Sequence, residues 1–135
     1  MTQEEKEILL KYLCMALPYN VKCNVPTEDC VMTLTGKRLN YFCFHKDEWG
    51  IDYSHEIETV LDPLNDHNND YVVKPYLRPM SSMTEKEHKE YEQWLPDGFN
   101  INTVNWLLEH YFDFLGLISK GLANEVTESN NPYEE

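Results

Sequence analysis

Residues 72–87, Val-Val-Lys-Pro-Tyr-Leu-Arg-Pro-Met-Ser-Ser-Met-Thr-Glu-Lys-Glu, constrain the fold more than any other stretch of the chain. Pro75 and Pro79 bias Lys74 and Arg78 away from the α region, so the bracketed triplet Tyr76-Leu77-Arg78 is expected to be extended. Two overlapping Ser/Thr-x-x-Glu capping boxes follow, Ser82–Glu85 and Thr84–Glu87. An extended span must therefore run almost directly into a helix, expected over residues 85–95 with Tyr91, Trp94 and Leu95 as its apolar contacts.

The flanks complete an α+β pattern. Ile8, Leu9, Tyr12, Leu13, Met15 and Ala16 recur at helical spacing, which predicts a first helix over 3–17, stopped by Pro18. Three extended runs follow, Tyr19–Val25, Cys30–Thr35 and Leu39–Phe44, rich in β-branched, aromatic and Cys residues. Gly36-Lys37-Arg38 is expected to supply the tight connection between the last two. Weaker strand signals lie near Trp49–Tyr53 and Ile57–Leu61, and Asp62–Asp70 reads as a polar loop. A last helix begins after Asn100 or Asn102, with Ile101, Val104, Leu108, Tyr111 or Phe112, and Leu115 as its stripe, and a short piece is expected over 117–122. The expected architecture is one domain over 1–124, followed by a polar, frayed tail over 125–135. That domain has an N-terminal helix, a small antiparallel sheet of three to five strands, and two or three C-terminal helices packed on one face.

At 135 residues and 16.0 kDa, surface scaling allows about two-thirds of the unfolded chain's surface to be buried, enough for an unstapled core. Cys14, Cys23, Cys30 and Cys43 show no close pairing of metal-knuckle type, so they read as reduced thiols and not as a zinc site. The acidic start lacks a secretory signal's basic and apolar regions, and no run reaches the length of a membrane span. A cytoplasmic protein with no membrane contact is expected.

The net charge of −13 is uneven: residues 45–70 hold eight acids against one base. Clustered Lys and Arg are absent, which argues against direct nucleic-acid binding. Asp66-His-Asn-Asn-Asp70 starts like a calcium loop, but Tyr71 and Leu77 stand where Gly and Glu are needed. His45, Asp47, Asp52, His55 and Glu56 form the one dense His-plus-carboxylate cluster, which a hairpin would have to assemble before it held a metal. No Gly-x-Ser-x-Gly elbow or Gly-rich phosphate loop occurs, and no cofactor is implied.

Two candidate partner-binding features remain. Tyr76, Leu77 and Arg78 carry interface-type side chains, or else they form an extended connection lying on the core with Arg78 paired to a carboxylate. Asp62, Asp66 and Asp70 belong to an acidic belt that either solubilises the protein or imitates the phosphates of DNA.

Three phrases resemble those of a family of small uncharacterised proteins of gut Bacteroidales and their bacteriophages: Leu9–Cys23, Lys74–Glu85 and Tyr111–Ala123. Residues 45–70 are not covered. The resemblance implies a phage or mobile-element origin and a bacterial cytoplasmic setting, and carries no site residue with it. The leading expectation is a non-enzymatic accessory protein acting by protein–protein binding. The alternatives are an acidic nucleic-acid mimic that inhibits a host defence protein, and a metal-dependent hydrolase built on His45 and His55.

Overall fold

A computed structural model describes residues 2–26, 30–46, 48–57, 61, 73–94 and 100–133. Helix α1 spans Gln3–Ala16 and opens on a complete capping box, with Glu5 N–H donating to Thr2 Oγ1 and Thr2 N–H to Glu5 Oε1. Its buried residues Leu9, Tyr12, Leu13 and Ala16 repeat at i, i+3, i+4 and i+7, the spacing of a single face. Pro18 then sits in a 3₁₀ turn over Leu17–Tyr19, and Asn20 reverses the chain in the left-handed region.

Strands β1 (Lys22–Val25), β2 (Cys30–Arg38), β3 (Tyr41–Lys46) and β4 (Ile51–Glu56) form an antiparallel meander. The chain re-enters on the far side of β1 as β5 (Lys74–Leu77), antiparallel to β1, and β6 (Asn124–Glu125) adds in parallel to β5. The order β4-β3-β2-β1-β5-β6 gives six strands where three to five were expected. The extra one has only two residues, too short to leave a periodic signal.

Register sets the faces. Cys23 lies between Met32 and Pro75, Leu34 opposes Phe44, and Phe42 opposes His55. Cys23, Val25, Met32, Leu34, Phe42 and Phe44 are buried in one cluster with the α1 stripe, which Leu77, Leu108, Leu117 and Leu122 join. Burying each such side chain is worth about 1.5–3 kcal/mol.

Two local expectations are corrected. Gly36, Lys37 and Arg38 belong to β2, and Gly36 lies where the β2–β3 register shifts. The two-residue turn is Leu39-Asn40, enclosed by the Arg38–Tyr41 pair. Ile57 and Leu61 carry helical backbone where a strand was expected, while residues 58–60 lie outside the described set.

After a 3₁₀ turn over Met80–Ser82, helix α2 (Glu85–Trp94) uses the second capping box: Glu87 N–H donates to Thr84 Oγ1 and Thr84 N–H to Glu87 Oε1. Ser82 instead donates its hydroxyl to Pro79 O. Helix α3 (Ile101–Glu109) stops six residues short of the stripe read as far as Leu115, and Ile101 is 74% exposed. Phe112 N–H donates to Leu107 O and Tyr111 N–H to Leu108 O, a Schellman ending with Tyr111 at φ +61° in the place glycine usually takes. Gly121 closes the turn over 117–122 in the same way, through Leu122 N–H to Leu117 O and Gly121 N–H to Ile118 O.

The segment read from composition as a frayed tail is tied to the sheet at two points. Val126 N–H donates to Leu77 O. Extending the β1–β5 register by one residue opposes Lys22 to Tyr76, and the Tyr133 hydroxyl stands between them, accepting from Lys22 N–H (2.9 Å) and donating to Tyr76 O (2.8 Å). Tyr133 also stacks on Tyr111 at 3.9 Å, and Tyr111 donates to Tyr19 O. Burial raises the pKa of both phenols, keeping them neutral donors.

Candidate interaction groove

Leu10 and Cys14 lie one turn apart on α1, on the flank of its core stripe. They form one wall of an open groove of about 510 Å3; the end of β4, with Glu56 and Ile57, and the β2–β3 turn supply the rest. Ile57 N–H donates to Asn40 O and Lys37 Nζ to Leu39 O, fixing the turn from both sides.

At the lip stands Leu39, 87% exposed and at φ +51°. A positive φ at the first of two turn residues and not at the second is the sign pattern of a type II′ hairpin turn, a position that favours glycine. The left-handed region costs an L-residue about 1–2 kcal/mol. Leu39 therefore accepts backbone strain while its side chain buries almost nothing within its own chain. Tyr41, the next outward-facing residue of β3, is also exposed and lines the groove opposite Glu56. A strained residue held by well-defined neighbours is a recognised mark of functional surfaces.

The sequence candidates are placed differently. Leu77 is fully buried and Tyr76 nearly so, both inside the sheet layer, so neither presents side-chain surface to a partner. Arg78 makes a bidentate pair with Glu87, both N–O distances being 2.7 Å, and its guanidinium lies 4.3 Å from the centre of the Phe112 ring. Trp106 stacks on that ring and touches Tyr91 and His110. The Arg78 hydrogen bonds hold the Glu87 carboxyl down at about 2. The triplet thus has the geometry of an extended connection on the core, with its cation neutralised. Asp62, Asp66 and Asp70, like the loop containing them, lie outside the described residues.

His45 and His55 fall on opposite faces of the sheet. His45 pairs with Asp52 at 2.6 Å on the outer face, whereas His55 opposes Phe42 and its ring packs 5.9 Å from that of Phe44. The two histidines expected to share a metal are therefore separated by the sheet itself, and among the described residues no three His, Cys, Asp or Glu side chains converge as a metal site. The four cysteines are free thiols, and burial pushes that of Cys23 well above the usual range. No helix among the described residues is long and apolar enough to cross a membrane.

Sequence reasoning missed Leu39. The sequence signals place the connection at Gly36-Lys37-Arg38 and Leu39 in the following strand, whereas Arg38 pairs with Tyr41 and leaves Leu39 in the turn. Compared with family models, curated proteins and solved structures, the chain matches none.

Proposed function

We propose that this is a non-enzymatic accessory protein of phage or mobile-element origin. It acts in the bacterial cytoplasm by binding another protein through the groove between α1 and the β2–β3 turn. The observation that carries the reading is Leu39, an aliphatic side chain projected into solvent from a backbone conformation that disfavours it. Tyr41 supplies an aromatic contact beside it, and Leu10 and Cys14 an apolar wall. The partner is a basic protein that inserts an apolar side chain between Leu39 and α1, because the chain's net charge of −13 favours a cationic surface. The phage origin rests on the sequence resemblance alone.

A photo-cross-linking residue at position 39, compared with one at the exposed Lys89 of α2, tests this in extract of a Bacteroidales host. The expected result is one basic protein cross-linked from position 39 and not from 89, which then binds the unmodified chain when purified. Equal labelling from both positions, or no binding by the purified protein, overturns the proposal.

A further inference from the structure

The two edges of the sheet are finished differently. At one end β6 has only two residues, which leaves little to pair with. At the other, β4 runs six residues without proline, glycine, lysine or a register shift against β3, and among the described residues it pairs on one side only. Natural sheets usually blunt a free edge with one of those devices, because a regular edge templates another strand.

The register shows what that edge offers. Ile57 N–H donates to Asn40 O, and alternation from this rung makes Phe42–His55, Phe44–Tyr53 and Lys46–Ile51 the hydrogen-bonded pairs. The backbone groups of Asp52 and Ser54 therefore point away from β3, toward the edge. Side chains alternate as well. Tyr53 and His55 are half-buried on the core face, where Ile51 follows them and is 47% exposed, whereas Asp52 lies on the outer face against His45. Open backbone groups thus run beside an aliphatic side chain that its own chain covers only in part.

We propose that the β4 edge pairs with the β4 edge of a second copy of this chain, antiparallel about a two-fold axis at Tyr53. The strand's own sequence selects that register. Centred there, Tyr53 faces its own copy, Asp52 faces Ser54, and Ile51 faces His55, so no like charges are opposed. A shift of two residues either way sets Asp52 against its own copy or against Glu56. A shift of one sets core-facing against outward-facing side chains. The selected register also matches the backbone: Asp52 and Ser54, whose groups point outward, exchange hydrogen bonds, while Tyr53 meets its copy at a non-hydrogen-bonded position where side chains come closest. Ile51 is covered by the partner's His55 ring. The pairing ends at His55, before the groove that begins at Glu56, so a dimer presents two open grooves. The interface is small and each chain carries a net charge of −13, so the dimer is weak and salt strengthens it.

Sedimentation equilibrium of the full chain, paired with cysteine cross-linking, tests this. The parent should show a reversible monomer–dimer equilibrium whose dissociation constant falls as salt rises. Ser54→Pro removes an outward N–H and no rung to β3, so it should fold and raise that constant by about tenfold or more. Under mild oxidation Tyr53→Cys should link to its own copy, because Cα atoms about 4.5 Å apart are within disulfide range. Ser54→Cys, offset by two residues from its copy, should link no more than the parent. If Ser54→Pro does not fold, the two cysteine variants decide. A parent that stays monomeric up to about 1 mM, a dimer unaffected by a folded Ser54→Pro, or equal linking from positions 53 and 54 overturns the proposal.

Discussion

Replacing Glu87 by glutamine isolates the charge that holds α2 and the β5 exit together. Glutamine serves in a capping box as glutamate does, so the Thr84 contacts survive. What is lost is the anion facing Arg78, whose two 2.7 Å bonds lie in a partly enclosed setting, with side-chain exposures of 24% and 15%. A carboxyl moved from 4.5 to about 2 implies, at about 1.4 kcal/mol per pH unit, a ceiling of about 3.4 kcal/mol. Solvent screening lowers this toward the about 1.5–3 kcal/mol usual for hydrogen bonds to charged groups. The sign is that of a depressed acid: the stabilisation is complete above pH 4.5 and is lost as pH falls toward 2. His110 faces the same carboxylate from α3, with Nδ1 at 3.6 Å from Oε2, too long for a hydrogen bond. Urea unfolding at pH 7 should therefore show Glu87→Gln less stable by about 2 kcal/mol, with the gap closing below pH 4. A gap under about 0.5 kcal/mol at pH 7, or one independent of pH, would refute the reasoning.

Two further substitutions probe the core. Tyr133→Phe keeps the stack on Tyr111 but leaves Lys22 N–H and Tyr76 O without their bridge, so a loss of about 2 kcal/mol in urea unfolding is expected; a neutral result would show that the bridge is not a true rung. Tyr12→Phe should be neutral or stabilising by about 1 kcal/mol, because its buried hydroxyl has no hydrogen-bond partner among the described residues. Destabilisation by that variant in calorimetry would mean that the hydroxyl is satisfied in solution.

Much of this fold is legible where one local rule acts alone. The α1 stripe, its stop near Pro18 and the capping signals after Pro79 follow from spacing and backbone sterics. Between the two overlapping boxes the choice was tertiary: Glu87 is the acid that Arg78 reaches, so Thr84 caps and Ser82 does not. The end of α3 was not legible, because Tyr111 takes a glycine conformation only under the demand of its neighbours, with Arg78 N–H donating to Tyr111 O and Asp113 N–H to Arg78 O. Strand β6 is too short for any pattern, and the role of Tyr133 depends on residues more than fifty positions away. The separation of His45 and His55 needs the β3–β4 register, which a loosely patterned strand does not disclose. The candidate groove was least legible of all, since its defining feature is a strained φ at Leu39, and Gly36 drew the expected turn three residues upstream.

Leu39→Gly measured for stability and for affinity toward the cross-linked partner tests the groove most directly. Glycine removes about 1–2 kcal/mol of left-handed strain and costs about 0.5–1 kcal/mol in chain entropy, so folding stability should stay level or rise by up to about 1.5 kcal/mol. The same change removes an anchor worth about 1.5–3 kcal/mol when buried by a partner, so affinity should fall about tenfold to 150-fold. Unchanged affinity in a variant that remains folded would contradict the account; a protein as stable as the parent that no longer binds is the result it predicts.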